Sequence, residues 1–189
     1  GEIRVEVVHE GGELLGVGYL LVVEHQHGVF VHAGMDRRHF VARERPAHVD
    51  AVDLSPEALE VARRNVADYG LEQRIELIHS DLFAGLDARA YDVIISNPPY
   101  VTARAMRALP AEYRHEPALA LAAGEDGLDI VRRLVAEAGR HLRPGGILVV
   151  EVGDGRHAVE QSFPALDLVW LDGHDNGNGV FLLRQEALR

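Results

Sequence analysis

The sequence predicts an α/β fold built on a doubly wound, mostly parallel sheet of seven strands. From residue 49 onward, short apolar runs alternate with stretches of helical periodicity, which is typical of repeated strand–helix units. The run at residues 91–96 is almost entirely apolar, as expected for a strand buried on both faces. Polar side chains follow three of the runs, and ligands of such sheets bind beyond the carboxyl ends of the strands.

The first elements of this region have clear boundary signals. Residues 49–53 are predicted to form a strand. Ser55 is a suitable helix cap and Pro56 fits a first helical turn, so a helix is expected to begin there. Gly70 ends this helix at about Tyr69. The next two strands are predicted at residues 75–79 and 91–96.

The second half of the chain continues the alternation. Apolar residues recur at helical spacing over residues 126–141, and Pro144 with the two glycines after it is expected to break the pattern. A strand at 147–152, a short helix at 158–163 and a closing pair of strands at 166–171 and 180–183 are predicted to follow.

Residues 1–48 have a different pattern and are predicted to be an atypical N-terminal segment that precedes the main domain at residues 49–189. Apolar runs at 3–8 and 14–23 flank a glycine pair, which favours a hairpin. A short strand at 29–32 and a helix at 35–43 would make the remainder a degenerate first strand–helix unit.

Composition narrows the functional classes. The chain has 189 residues, a formal net charge of -11 and no cysteine, which excludes disulfides, thiolate metal sites and cysteine nucleophiles. No apolar run reaches the roughly 18 residues that span a bilayer, so a cytoplasmic protein is expected. The acidic charge disfavours nucleic acid and favours a basic protein partner.

Two acidic positions follow predicted strands. Asp53 ends the first strand, where a carboxylate suits the two hydroxyls of a ribose, although a turn or cap aspartate has the same pattern. Asp81, in the segment Asp81-Leu82-Phe83, suits the exocyclic amine of an adenine, and Phe83 suits its face. The alternative for this segment is a turn acid followed by a core aromatic.

The most specific signal is Asn97-Pro98-Pro99-Tyr100 after the apolar strand. The prolines fix the backbone and remove two N–H donors, and a residue before proline is biased to extended geometry. The Asn97 amide and nearby carbonyls can then hold a planar amide or amine, with Tyr100 packed on the same plane. Such a nitrogen is a poor nucleophile, so acceptors on its N–H bonds would orient it for attack on a methyl sulfonium.

With this motif the chain resembles the methyltransferases that carry Asn-Pro-Pro-Tyr, which act on protein glutamine or on adenine and cytosine amines. Residues 109–117 and 119–129 resemble the protein-glutamine methyltransferases in particular. Within them, residues 112–117 and the ending around Trp170 and 177–181 are most similar to the branch that acts on a large-subunit ribosomal protein. The resemblance covers residues 49–184.

The resemblance implies a class I, Rossmann-like fold, S-adenosylmethionine as cofactor and a ribosomal protein as substrate, with no direct binding of nucleic acid or membrane. Asp53, the Asp81–Phe83 segment and Asn97 would contact the cofactor or the transfer site. Residues 97–100 would hold the substrate glutamine, and Glu116-Pro117 and Asp126-Gly127 would shape the pocket behind them. Methylation of a release factor, methylation of a nucleic-acid amine and a catalytically impaired partner-binding domain remain alternatives.

The glycine loop of the family is the main departure. The corresponding stretch, residues 30–36, keeps only Gly34, while Gly16-Val17-Gly18 lies about 35 residues before Asp53 in a strand-like run. Either the region has diverged and binds cofactor weakly, or residues before about Ala42 are read from a shifted frame. Four histidines in this region lack a carboxylate or cysteine pattern that would favour a metal site; they are His25, His27, His32 and His39.

Overall fold

The computed structural model describes residues 19–24, 48–99, 124–171 and 179–188, the first range as backbone only. They form seven strands, three α-helices and two short 3-10 turns. The strands are β1 Tyr19–Glu24, β2 His48–Asp53, β3 Ile75–His79, β4 Tyr91–Asn97, β5 Leu142–Glu151, β6 Val169–Leu171 and β7 Val180–Arg184. The helices are α1 Pro56–Asp68, α2 Asp129–His141 and α3 Arg156–Ser162, with 3-10 turns at Gly153–Gly155 and Gln185–Leu188.

The strands form a single sheet in the order β3-β2-β1-β4-β5-β7-β6. Strand β2 is parallel to β3 and β4 is parallel to β5, while β1 and β7 are antiparallel to their neighbours. Strands β2 to β6 therefore all run in the same direction, as predicted for a mostly parallel sheet. Strands β6 and β7, the predicted closing pair, are antiparallel to each other. The carboxyl ends of β2, β3 and β4 all lie at one edge of the sheet, which we call the carboxyl edge.

Strand β1 departs from the parallel arrangement that the sequence predicts for the middle of the sheet. Tyr19 at its start pairs with Asn97, and Glu24 at its end pairs with His48. The chain therefore leaves β1 at the edge opposite the carboxyl edge. The strand overlaps the second half of the apolar run predicted at 14–23 and extends one residue beyond it. The run at 3–8, the strand at 29–32 and the helix at 35–43 lie outside the described residues.

Helix α1 confirms its boundary signals. The Ser55 hydroxyl accepts a hydrogen bond from the Ala58 N–H at 3.1 Å, and Pro56 occupies the first turn. Gly70 follows the helix with a φ of 63°, a left-handed conformation that glycine adopts without the steric cost of a Cβ. Leu59 is the buried residue of this helix.

Helix α2 begins at Asp129, three residues later than predicted from residue 126. Asp126 instead accepts the Leu128 N–H at 3.1 Å, which makes a turn in front of the helix. Val131, Leu134 and Ala138 have no exposed surface, so the predicted apolar face packs on the sheet. Their burial fixes the position of the helix against the core.

Helix α2 ends at His141, as predicted, but the strand that follows it begins five residues before the predicted start at residue 147. Strand β5 begins at Leu142, which pairs with Tyr91, and the pairing shifts so that Ile147 faces Val93. The turn-forming residues are therefore a bulge within the strand. Helix α3 begins two residues earlier than predicted, and β6 begins three residues later.

The larger part of the core lies between the sheet and α2. Its fully buried members include Ile94, Leu134, Leu148 and Phe181. A second buried cluster contains Val49, Val93, Ile95 and Val149. Strand β4 contributes to both clusters, so the end of this strand is held on both faces. Within the part of the chain that the structure describes, no helix is long and apolar enough to cross a membrane.

Candidate active site

The site residues that the sequence predicts and the structure describes lie at the carboxyl edge of the sheet. Asp53 is the last residue of β2 and pairs in register with His79, the last residue of β3. Asp81 follows β3 by two residues, and Asn97 is the last residue of β4. The fold therefore brings the three predicted elements of the site to one edge, as the alternation of strands and helices implied.

Asp53 is partly buried and is held from the start of α1. The Ser55 N–H donates to its Oδ1 at 2.7 Å. Burial raises the pKa of Asp53 above its usual value, and backbone hydrogen bonds from Ser55 and Leu54 oppose that shift. An ionised carboxylate has more acceptor positions than these donors use, so this side chain keeps the capacity to accept hydroxyl donors.

His79 is a neighbour of Asp53 that sequence reasoning missed. Its Nε2 lies 3.0 Å from the Leu54 carbonyl oxygen, and its charge favours the ionised form of Asp53. The available signal was its position as the last residue of the strand paired with β2.

The turn after β3 is held tightly. The Ser80 hydroxyl accepts the Gly85 N–H at 2.7 Å and donates to the Leu82 carbonyl at 3.1 Å. Leu82 has a φ of 50°, an unusual conformation for a residue with a branched side chain. Such strain persists only where the surroundings enforce it, and it concentrates at functional sites. The turn therefore fixes the direction of the chain at Asp81 and Leu82.

Phe83 lies in the core beneath this turn. It is 3% exposed and stacks on His141, with ring centroids 4.8 Å apart and an interplanar angle of 9°. The ring anchors the turn after β3 to the end of α2. A ring that is 3% exposed offers little surface to an adenine, so its burial favours the alternative of a core aromatic.

Asp81 is engaged by an arginine from α2. Arg133 Nη1 lies 3.0 Å from Oδ1 and Nη2 lies 3.0 Å from Oδ2, which is a two-point pairing of guanidinium and carboxylate. The pairing raises the pKa of Arg133 above its usual value. Sequence reasoning missed Arg133, since no local pattern joins residues 52 positions apart.

The segment Asn97-Pro98-Pro99, which we call the proline corner, continues from the buried strand β4. Val93 and Ile94 have no exposed surface and Ser96 is 2% exposed, so the strand is fixed up to its last residue. Asn97 is partly buried, Pro98 is buried and Pro99 is partly buried. Tyr100 lies outside the described residues, as does the Glu116-Pro117 segment.

The segment predicted to shape the pocket precedes α2. Asp126 accepts a hydrogen bond from Arg132 Nη1 at 3.1 Å, and Arg132 also bonds to Asp129 at 3.1 Å. Gly127 is buried with a φ of 80°, a conformation that favours glycine. The turn and first helical residues are therefore linked through one guanidinium.

A cavity of about 680 Å³ lies at the opposite edge of the sheet, where the strands begin. Tyr91 donates to Asp50 at 2.7 Å there, and Arg89 bridges Asp50 and Glu76 at 2.9 and 3.0 Å. The carboxylates of Asp50 and Glu76 are thus paired with Arg89 within the protein. None of the residues predicted to act in the site lines it.

Solved structures share this architecture. A methyltransferase from Pyrococcus furiosus aligns with a TM-score of 0.51 at 19% identity and covers 72% of this chain and 61% of its own. The hMettl16 catalytic domain aligns with a TM-score of 0.52 at 15% identity, covering 71% and 54%. The fold is therefore that of the class I, Rossmann-like S-adenosylmethionine-dependent methyltransferases.

Sequence similarity identifies the family within that class. The methyltransferase small domain family matches residues 38–112. The ribosomal protein uL3 glutamine methyltransferase of Bordetella pertussis is 55% identical over 142 residues, which are 75% of this chain and 48% of that protein. The proteins of the same name from Burkholderia pseudomallei and Neisseria gonorrhoeae are 54% and 52% identical, covering 75% of this chain and 48% and 47% of theirs.

Over the matched region the chain is therefore homologous to the curated protein-glutamine methyltransferases, which confirms the resemblance seen in the motifs. The chain spans about half the length of the curated relatives that it matches.

Proposed function

We propose that the chain binds S-adenosylmethionine and methylates the side-chain amide nitrogen of a glutamine in ribosomal protein uL3. The observation that carries this proposal is that the proline corner lies at the same sheet edge as Asp53 and Asp81. It is made in a chain that is 55% identical over 142 residues to a uL3 glutamine methyltransferase. A catalytic domain at residues 49–189, with residues 1–48 as an atypical first unit, is part of the proposal.

The side chains at the carboxyl edge fit the cofactor by their chemistry. Asp53 would accept hydrogen bonds from the ribose hydroxyls. Asp81 and the backbone of Leu82, which has a φ of 50°, would form hydrogen bonds with the polar edge of the adenine. Phe83 would support this turn from the core. When bound, the cofactor supplies a methyl group on a positively charged sulfur.

The proline corner would hold the substrate amide. The Asn97 side-chain oxygen and the Pro98 carbonyl would accept the two N–H bonds of the glutamine amide, and Tyr100 would pack on its plane. The amide nitrogen would then face the methyl group, form the new N–C bond as the S–C bond breaks, and release one proton. Positioning and electrostatic stabilisation would lower the barrier in such a site.

Charge supports a basic protein as substrate. The net charge of -11 would attract a basic surface such as that of a ribosomal protein. The names of the relatives favour uL3 over a release factor, which remains the alternative substrate. A cytoplasmic location follows from such a substrate.

A second candidate is a domain of the same family with impaired catalysis. The antiparallel direction of β1 favours it, because the chain leaves β1 beside His48 and not at the carboxyl edge. A glycine loop that follows β1 would therefore lie at the opposite edge of the sheet from Asp53 and Asp81. Under this alternative the chain binds its protein partner but holds the cofactor weakly.

One experiment separates these candidates. Purified chain is titrated in a calorimeter with S-adenosylhomocysteine and, separately, with uL3. It is then incubated with labelled S-adenosylmethionine and either uL3 or a release factor. The proposal predicts cofactor binding and label on a uL3 glutamine, located by mass spectrometry. Binding of uL3 without cofactor binding would favour the impaired domain, and label on the release factor alone would replace the substrate.

A further inference from the structure

The Arg133–Asp81 pair stands between the turn after β3 and the second turn of α2. Both nitrogen–oxygen distances are 3.0 Å, so both carboxylate oxygens are held in one plane with the guanidinium. Arg133 Nε also lies 3.9 Å from a carboxylate oxygen of Glu137, one turn further along the same helix. The carboxylate of Asp81 is therefore oriented by a partner that is itself held.

The two ends of this contact are rigid. On α2, the neighbouring residues Val131 and Leu134 have no exposed surface, so the backbone that carries Arg133 is fixed by the core. On the turn, the Ser80 hydroxyl bonds to the Gly85 N–H and the Leu82 carbonyl. A contact between two fixed elements sets a direction for the carboxylate that an exposed side chain on a turn would otherwise lack.

We propose that Arg133 is a positioning residue for adenine recognition, which it serves by orienting the Asp81 carboxylate toward the exocyclic amine of the cofactor. The inference rests on the proposed function, since it assumes cofactor at the carboxyl edge. Each carboxylate oxygen has two lone pairs, so Asp81 can bind Arg133 and still accept the amine. Arg133 touches neither the methyl group nor the glutamine.

A purely structural salt bridge is the competing explanation. Arg133 and Asp81 keep 42% and 48% of their side-chain surface exposed, and exposed pairs contribute little to stability. Removing Arg133 should therefore leave the fold intact. This separates the two explanations, because orientation of Asp81 affects only ligands that carry the amine.

The test uses calorimetry with two ligands and three variants. The ligands are S-adenosylhomocysteine and its analogue with hydrogen in place of the 6-amino group. The variants are Arg133→Met, Arg133→Lys and, as a matched control, Arg143→Met. Arg143 also pairs across elements, 2.6 Å from Asp92, but lies at the opposite edge of the sheet. Thermal unfolding checks that each variant is folded.

We expect Arg133→Met to weaken S-adenosylhomocysteine binding about tenfold, as for loss of a hydrogen bond to a charged acceptor, with little change for the analogue. Arg133→Lys should retain part of the affinity and Arg143→Met all of it. In turnover, KM for the cofactor should rise with kcat nearly unchanged.

Three results would overturn the inference and leave the proposed function standing: unchanged affinity in Arg133→Met, tighter binding, or an equal loss for both ligands. If the wild-type chain binds neither ligand, the proposed function fails and this inference fails with it.

Discussion

At the scale of the residue, the proposed chemistry of the site depends on Asn97 and its two prolines. Strand β4 is buried on both faces up to Ser96, so the position of Asn97 is set by the core and not by a flexible loop. A rigid acceptor at this position costs little reorganisation when the amide binds, which is the condition for catalysis by positioning.

Replacing Asn97 by Ala should lower kcat for uL3 methylation about 100-fold or more, since one preorganised hydrogen-bond partner is lost. The partly buried side chain ends the strand without filling the core, so the melting temperature should change little. Asn97→Asp keeps the shape and is the matched control for loss of the amide group. Wild-type turnover in Asn97→Ala would remove Asn97 from the site.

The raised pKa of Asp53 predicts a pH-dependent effect on stability. Because the folded-state pKa of Asp53 lies above the usual value for this side chain, the folded protein holds this proton more strongly than the unfolded chain. The stability from this group is therefore present at low pH and lost as pH rises through the folded pKa.

The variant Asp53→Asn should accordingly melt at a higher temperature than wild type at neutral pH, and the difference should shrink below pH 3.8. Thermal unfolding followed by circular dichroism across this range measures it. Asp92→Asn, outside the carboxyl edge, serves as the comparison. A lower melting temperature for Asp53→Asn at neutral pH would contradict the assigned cause, which is burial.

The site residues differ in how far the sequence could predict them. Asp53, Asp81 and Asn97 follow strands, and strand ends are visible in local patterns of hydrophobicity. Arg133 was not predictable, because its contact joins positions 52 residues apart. The burial of Phe83 against His141 likewise depends on tertiary packing, and its sequence suited a ligand contact equally well.

At the scale of the element, boundaries were predictable where local chemistry decides them. Helix α1 begins after the Ser55 cap and ends before Gly70, as the sequence predicts. The start of β5 was missed because pairing of Leu142 with Tyr91 overrides the local tendency of Pro144 and the glycines to break a strand. The direction of β1 depends on pairing with distant strands, so its own residues could not indicate it.

The cap of α1 gives a test at this scale. Ser55→Ala should lower the free energy of unfolding by about 1 kcal/mol, since the Ala58 N–H loses its acceptor. Urea denaturation measures the change. Ser55→Asp restores an acceptor and should recover most of the loss, whereas equal stability of all three proteins would show that the cap contributes nothing.

At the scale of the whole molecule, the sheet brings the side chains proposed to bind cofactor and substrate to one edge, in a chain with a net charge of -11. A field of this sign favours association with a basic partner and is screened by salt. The overall fold and this edge were predictable from the order of the elements. The position of β1 in the middle of the sheet was not, since the glycine motif that would mark the family's first strand is incomplete.

Salt should therefore affect the encounter with the substrate more than the chemical step. We expect KM for uL3 to rise several-fold as sodium chloride is raised from about 50 to about 300 mM, with kcat nearly constant. Steady-state kinetics at saturating cofactor measure both constants. A short uncharged glutamine peptide is the control, and a KM for uL3 independent of salt would argue against steering by charge.

The most direct test of the account is a crystal structure of the chain with S-adenosylhomocysteine. The account predicts the ribose on Asp53, the adenine amine on Asp81 and the sulfur facing the Asn97-Pro98-Pro99 corner. Ligand density in the cavity at the opposite edge beside Asp50 and Arg89, with the carboxyl edge closed by core side chains, would contradict it.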